Sequence, residues 1–318
     1  MPAVPEDVGI EFGAASAADI LAARELFARA FGRPADEARW RRKYFANPAG
    51  PVVAFAAKDG ERLVSFAAQH PAPFTHAGRR LTLYQLGDSM TDPAYRRRGW
   101  QVFLKRLACD WLRLEGATFM LSFPNAGSLT VNRRLGYVRL GRLRRWFRPA
   151  GGPLPAAPAA LAVTEVACDD ERLTRVGAAA AAGPFTAGVR DAAWLSWRFG
   201  ERPGVRCWLA GDADGYLVAE RAARGVWIRD LAAARPGGAA VAALLRACVA
   251  FARADGAAHV SFAHLGWRWG GALLRAGFFP LPGGAPVLVV ACSPLAREWR
   301  RRGAWFLTDA DRDMDSAA

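Results

Sequence analysis

The sequence predicts an α/β fold built twice, each copy a mixed, mostly antiparallel sheet with helices on both faces. Three observations carry this. Apolar positions switch along the chain between strand-like runs and helical spacing. Near the middle, AGGPLPAAPAA at Ala150–Ala160 carries no charge, three prolines and a Gly-Gly pair, a composition that holds neither a helix nor a central strand. The stretches on either side of it show the same landmarks in the same order, as a duplicated sequence would.

Taken in order, the first landmark is RKYFANP (Arg42–Pro48), answered by WRFGERP (Trp197–Pro203). An Asp-Gly pair follows each at the same distance, Asp59-Gly60 and Asp214-Gly215, flanked by the apolar runs of AFAAKDGERLVSFAA and WLAGDADGYLVAERA. That is a hairpin signature, with glycine expected to supply the positive φ of the turn. LTLYQLGDSM (Leu81–Met90) then has the residues of a strand, and Thr91-Asp92-Pro93 ends it. A helix follows, with Trp100, Phe103, Leu104, Leu107, Ala108, Trp111 and Leu112 on one face. In both halves a helical stretch leads through glycine to a short strand: VFLKRLACDWLRLEG before TFMLSF, and VAALLRACVAFARADG before HVSF. Both then reach a helix-to-glycine signal, RRLGY at Arg133–Tyr137 and LRAGF at Leu274–Phe278. Helix, hairpin, strand, helix, strand, helix, strand implies a mixed sheet covered on both faces. The expected domains are 1–149 and 161–318, joined by the linker at 150–160.

Composition narrows the function classes. Apolar residues make up 52% of 318, enough for a substantial core. The formal charge of +14 invites a nucleic-acid reading, but the arginines are scattered, and a nucleic-acid groove needs them clustered. Only Lys43, Lys58 and Lys105 are lysines; the remaining basic residues are arginine, beside abundant Ala, Gly and Pro. The N-terminus, with Glu6, Asp7 and Glu11, lacks a basic start and apolar block, and no apolar run approaches a membrane span. Cys109, Cys168, Cys207, Cys248 and Cys292 are odd in number and widely spaced, as expected of reduced thiols in a cytoplasmic protein. His70, His76, His259 and His264 show no metal-ligand spacing. The expectation is a protein of the cytoplasm, monomer or homodimer, with no nucleic-acid or membrane partner and no metal.

The arginine-rich stretch MTDPAYRRRGWQVFLKRL (Met90–Leu107) is the most informative. It lies between a strand and a helix, where free backbone N–H groups and the positive end of the helix dipole converge. A pyrophosphate suits such a place. Gly99 lets the backbone approach a ligand closely, and Arg96, Arg97 and Arg98 add charge-assisted hydrogen bonds. Trp100 falls on the apolar face of the helix, so packing is its expected role beside the turn.

This stretch resembles the acyl-CoA-binding motif of the GCN5-related N-acetyltransferases, the GNAT superfamily: Arg96 and Gly99 match the pattern, and Gln101 stands where Gly or Ala is usual. SFPNAGSLTVNRRLGY (Ser122–Tyr137) resembles the family's second motif, through Asn125, the small Ser128 and Gly136-Tyr137. The second half looks like a degenerate copy; its turn, AARPGGAAV at Ala233–Val241, keeps the glycines and one arginine, Arg235, and is expected to bind no cofactor. The resemblance implies a tandem GNAT protein that moves an acetyl group from acetyl-CoA directly to an amine. Ser89, Met90 and Thr91 would pair through their backbones with the pantetheine arm, and Arg96–Gln101 with Asn125 and Ser128 would complete the cofactor site.

For proton removal from the acceptor, Asp88 is the first candidate, on the alternation that sets it on one face with Leu86 and Met90; Tyr84 lies on that same face and is the second. Lys43 and Tyr44 are candidates for the acceptor site, the acceptor being a small molecule or a peptidyl amine. Cys109 has no histidine beside it and reads as structural. Where the family often places a tyrosine as acid for the leaving thiolate, this chain has Asn132. Two other readings stand beside acetyl transfer: a non-catalytic acyl-CoA-binding or interaction module, and an aminoacyl transferase of the cell-wall type. A longer acyl group or a hydroxyl acceptor is also compatible. At the C-terminus, WFLTDADRDMD (Trp305–Asp315) is no calcium loop, since Met314 stands where such a loop needs glycine. It reads as a solvated acidic tail or, more sharply, as Asp309 and Asp311 folded back to attract a cationic acceptor.

Overall fold

The computed structural model describes residues 9–156, 161–183, 185–292 and 305–312. Glu6 and Asp7, the linker's end at 157–160 and the terminal residues from 313 lie outside them. The first half runs β1 (Ile10–Ala14), α1 (Ala17–Phe31), α2 (Glu37–Phe45), β2 (Val53–Asp59), β3 (Arg62–His76), β4 (Arg79–Thr91), α3 (Trp100–Leu114), β5 (Phe119–Ser122), α4 (Ala126–Arg134) and β6 (Val138–Pro149). The second runs β7 (Val163–Val166), α5 (Arg172–Ala181), β8 (Thr186–Gly188), α6 (Ala192–Phe199), β9 (Val205–Ala210), β10 (Gly215–Arg221), β11 (Gly225–Ala233), α7 (Ala239–Ala254), β12 (His259–Leu265), α8 (Gly270–Arg275), β13 (Phe279–Pro280) and β14 (Ala285–Ala291). A last short strand, β15, covers Trp305–Phe306. The repeated order of helices, hairpin, strand, helix, strand, helix, strand is the tandem architecture that the duplicated landmarks predict.

Contacts divide the chain into two units: residues 1–73, 81–140 and 287–300, and residues 74–80, 141–286 and 301–318. The change of unit falls at Leu140/Gly141, inside β6, and not in the segment 150–160.

In the first unit the strands lie in the order β1-β2-β3-β4-β5-β14, with β4 and β5 parallel. Alternation along β2 and β3 explains the layers. Ala54, Ala56, Phe66 and Ala68 face α1 and α2 through Ile20, Ala23, Phe27 and Trp40. Phe55 and Ala67 face Phe103, Leu104 and Ala108 of α3, while Ala57 and Val64 meet Trp100. Burying one large apolar side chain in these layers contributes roughly 1.5–3 kcal/mol. Ser16 and Asp19 form a capping box at the start of α1, and Gly32, at φ +70°, ends it.

In the second unit the order is β6-β12-β11-β10-β9-β7, with β11 and β12 parallel. Leu217, Ala219, Val226 and Ile228 pack on Val241, Leu244, Cys248 and Val249 of α7. Leu209, Tyr216 and Val218 pack on Leu173 and Val176 of α5 and Leu195 and Phe199 of α6. The tip of β3, Phe74–His76, belongs to this unit and pairs with β8.

Two features were not legible. The last strands are exchanged: β6, from the first half of the sequence, pairs with β12 through Leu143–Pro149, and β14, from the second half, pairs with β5 through Leu288–Ala291. The Asp-Gly turns also differ. Gly60 has φ +56° between β2 and β3, as expected. Gly215 is instead the first residue of β10, and Gly211, at φ +59°, makes the turn, with Asp214 N–H donating to the Ala210 carbonyl at 3.1 Å.

Candidate active site

Parallel strands β4 and β5 pair only at Leu83–Phe119, Tyr84–Met120 and Gln85–Leu121. β5 ends one residue later at Ser122, while β4 continues to Thr91. The two strands therefore part at their C-terminal ends, where parallel α/β sheets bind ligands. The arginine-rich turn joins the free end of β4 to α3.

That turn is held from below. Asp92 caps a 3-10 turn over Pro93–Tyr95 and accepts from Arg29 Nε and Arg62 Nη2, both at 2.8 Å. Burial raises the Asp92 carboxyl, but the Ala94 N–H and the two guanidinium groups outweigh it, and the group stays below its ordinary range. Arg97 (φ +70°) and Gly99 (φ +82°) are both left-handed, so the chain turns sharply into α3. The first helical N–H bonds run from Val102 and Phe103 to the Gly99 carbonyl; those ahead have no acceptor within the helix. A Cβ built on Gly99 would meet nothing within 4 Å, so the space above the helix start is open.

The three arginines diverge. Arg96 turns back to the carbonyls of Thr91 (3.3 Å) and Ala30 (2.9 Å). Arg98 stacks over Tyr95 and Trp100 at 5.3 and 5.4 Å. Arg97 is exposed and its guanidinium has no partner among the described residues, which suits it to an anion at the helix start. Trp100 is buried against Ala57 and Val64, as its periodicity implied.

Gln101 does not point at the turn. Its Nε2 donates to the carbonyls of Met90 (2.7 Å) and Phe66 (3.0 Å) and to Ser65 Oγ (3.0 Å). Ser65 Oγ also donates to the Met90 carbonyl at 3.2 Å, so both lone pairs of that carbonyl are engaged. Of the strand-end residues expected to meet a pantetheine arm, Met90 and Thr91 thus have carbonyls already occupied from within the protein, Thr91 by Arg96. Asn125 caps α4, its Oδ1 accepting from Ser128 N–H at 2.9 Å and Ser128 Oγ at 3.0 Å.

Asp88, Lys43 and Tyr44 come together. Asp88 Oδ2 accepts from Tyr44 Oη at 2.5 Å and lies 2.6 Å from Lys43 Nζ, with all three residues buried. His70 of β3 joins them, its Nε2 3.9 Å from Asp88 Oδ2 and its ring edge-on to Tyr44 at 5.1 Å. Nothing in the sequence pointed to His70, since β3 meets α2 and β4 only through the fold.

Tyr84 does not join this cluster, because the alternation fails. Asp88 has φ +41°, a left-handed conformation inside a strand. The strand changes phase there: Leu86 packs with Cys109, Leu112 and Met120 near α3, whereas Met90 packs with Trp40, Tyr44 and Phe66 near α2. Tyr84 lies with Leu86, and its hydroxyl pKa is raised by burial and by Glu115. Cys109 is buried there too, its thiol pushed up to about 12 by burial, which suits packing and not attack.

A second buried polar group lies at the end of β5. Lys105, one turn after Gln101 on α3, donates to Asn132 Oδ1 at 3.0 Å, and Asn132 Nδ2 donates to Ser122 Oγ at 2.8 Å. Burial lowers the Lys105 pKa to about 8. The available signal was a lysine beside an apolar helical stripe in a chain with only three lysines.

The second unit treats its equivalent fork differently. β11 and β12 pair from Gly225–His259 to Ile228–Phe262 and then part. The C-terminal segment occupies that place: Leu265 N–H donates to the Leu307 carbonyl at 2.9 Å, and Thr308 Oγ1 donates to Asp230 Oδ1 of β11 at 2.7 Å. Asp309 and Asp311 are buried there. Asp309 pairs with Arg229 and Arg312, and Asp311 lies 2.6 Å from Arg190, which also pairs with Asp230 at 2.9 Å. This corrects both readings of the acidic C-terminus. The two carboxylates are not solvated, and the cations they attract are the protein's own arginines. Among the described residues no cluster of His, Cys, Asp or Glu is placed to hold a metal, and no helix is long and apolar enough to cross a membrane.

A search of curated proteins finds none that matches. Residues 11–139 match the family model described as acetyltransferase (GNAT) domain. Among solved structures, a probable N-acyltransferase of Enterococcus faecalis superposes with TM-score 0.72 at 14% identity, over 90% of this chain and 73% of its own. A GCN5-related N-acetyltransferase of Kribbella flavida gives 0.70 at 20% identity, over 89% and 72%. A tandem GNAT protein from the clavulanic acid biosynthesis pathway gives 0.61 at 16% identity, over 90% and 99%. Residues 11–139 are thus similar to a GNAT domain, and the chain as a whole has the fold of a tandem GNAT protein.

Proposed function

We propose that the protein transfers an acetyl group from acetyl-CoA to an amine, directly, with both substrates bound in the first unit. The observation that carries this is the fork between β4 and β5, which leads to an open helix start at Gly99. A pyrophosphate suits that start, with the exposed Arg97 as its cation and the helix dipole behind it. The arm would run along β4 toward Asp88, past Ser89, whose backbone N–H is the candidate to meet the developing oxyanion.

At the acyl end the polar cluster orders the acceptor. Asp88, which accepts from Tyr44 and pairs with Lys43, is the candidate anchor for the acceptor's ammonium. An imidazole is the side-chain type best matched to proton transfer near neutral pH, so His70 is our candidate for removing the acceptor's proton. The second unit, its fork filled by the C-terminal segment, serves as scaffold. The acceptor is a small-molecule or peptidyl amine.

Calorimetric titration with acetyl-CoA, followed by thiol release in the presence of primary amines, tests the reading. The wild type is expected to bind, and Arg97→Ala to bind about tenfold more weakly, as the loss of one exposed charge-assisted contact implies. Absence of binding heat from the wild type would overturn it.

A further inference from the structure

We infer that Lys105 is the proton donor to the thiolate that leaves when the acyl group is transferred. This rests on the acetyl-transfer reading above and adds a group that the reading does not require.

Lys105 carries a charge that nothing nearby matches. Lys105 is 2% exposed, and no carboxylate pairs with it among the described residues. An ammonium group has three N–H donors. One goes to Asn132 Oδ1; no other acceptor for it is found among the described residues. An unpaired buried cation is costly enough that proteins rarely retain one without use. The amide of Asn132 cannot be turned round to relieve it. An ammonium can only donate, so Oδ1 must face Lys105, and Nδ2 is held by Ser122 Oγ at 2.8 Å.

The position of the charge says what it meets. Gln101 and Lys105 stand one turn apart on the same side of α3. Gln101 reaches the carbonyl of Met90, near the free end of β4. Lys105 reaches, through Asn132, the last residue of β5. Gln101 directly, and Lys105 through Asn132, therefore reach the C-terminal ends of the two strands that form the fork. A ligand arm entering the fork brings acceptor atoms to the open N–H groups. Lowered to about 8 by burial, Lys105 can give up a proton near neutral pH, which arginine cannot. Cys109 is the other titratable group next to it, and its thiol is held neutral by burial.

The step balances. The acceptor nitrogen attacks the thioester carbon and a C–N bond forms. The C–S bond breaks and its electron pair leaves on sulfur. Sulfur takes a proton from Lys105 Nζ, giving the free thiol. The acceptor's surplus proton goes to the base, and Lys105 regains a proton from water after the products depart.

Lys105→Met tests this, with a check of the fold by circular dichroism. The expected result is an acetyl-CoA Kd within about threefold of wild type and a kcat lower by on the order of 100-fold. The wild-type kcat should fall as pH rises through about 8, and that limb should be absent from the variant. Asn132→Asp is the second variant. A carboxylate beside the ammonium holds its proton more tightly, so the falling limb should move to higher pH. If Lys105→Met does not fold, Asn132→Asp carries the test alone. A Lys105→Met kcat within threefold of wild type, or an Asn132→Asp profile with an unmoved limb, overturns the inference while leaving acetyl transfer intact. A wild type that binds acetyl-CoA but releases no thiol with any amine overturns the transfer reading, and is measured first.

Discussion

At the scale of single residues, the chain's use of lysine is selective. Two of its three lysines, Lys43 and Lys105, are 2% exposed, in a protein whose other cations are all arginine. Arginine is bulky and permanently charged; lysine is the cation that can sit compactly in an interior and lose its proton there. Lys43 is the case with a matching charge, 2.6 Å from Asp88. Removing one member of such a pair strands the other, at a cost of about 3–5 kcal/mol, whereas replacing both is far milder. Asp88→Asn is therefore expected to lose about 3 kcal/mol or more in urea unfolding, and Lys43→Met with Asp88→Asn to recover most of it. A double variant as unstable as the single one would show that the carboxylate is not held for its pairing with Lys43. The same residues show how far the sequence could be read. Strand, proline, glycine and helix are local signals, so the turn at Arg96–Gly99 could be placed between β4 and α3. Asp88, Lys43 and Tyr44 could be named, but not joined, because contact between α2 and β4 is a property of the packed sheet. Tyr84 was misplaced by strict alternation, which Asp88's φ of +41° breaks. His70 had no local signal at all.

At the scale of elements, the same fork meets two fates. In the first unit β4 and β5 part and lead to an open helix start at Gly99; in the second, Leu307–Asp311 lie across the fork. His264 of β12 is next to that segment, in an isolated bridge with Thr308, fully buried and in stacking contact with Trp146 and with Phe262. Burial, with the nearby Arg144, lowers its pKa from 6.5 to about 4 despite its bond to the Leu265 carbonyl. The folded protein therefore keeps this imidazole neutral where the unfolded chain would protonate it. The contribution to stability is complete above pH 6.5 and is lost as pH falls from there toward 4, at about 1.4 kcal/mol per unit. Denaturation at pH 7, 6 and 5, comparing wild type with His264→Phe, isolates this from His76 and His259, which titrate in both proteins. The wild type is expected to lose more stability than the variant at each step; parallel losses would mean that His264 is protonated without penalty.

At the scale of the whole molecule, duplication and exchange have different consequences. Duplication was visible in the sequence because RKYFANP and WRFGERP sit at equivalent ends of α2 and α6. Exchange was not visible, because β6 and β14 carry no mark of which sheet receives them. Each unit is nevertheless completed by a strand encoded in the other half: β14 pairs with β5 at Met120 and Leu121, and β6 pairs with β12 from Leu143 to Pro149. A fragment of residues 1–149 would leave the edge of β5 unpaired, with Met120 no longer packed with Leu288 and Val290. It would also release β6 with Leu143 and Trp146 uncovered. An unpaired apolar edge is a template for association. The fragment 1–149 is therefore expected to aggregate or remain partly unfolded, even though it contains the whole acetyltransferase match at 11–139. Mixing it with residues 150–318 during refolding should restore a soluble complex, since the two pieces together supply both strands. A monomeric 1–149 with sharp amide dispersion would mean that the exchanged strands are accessories and not part of each unit's core.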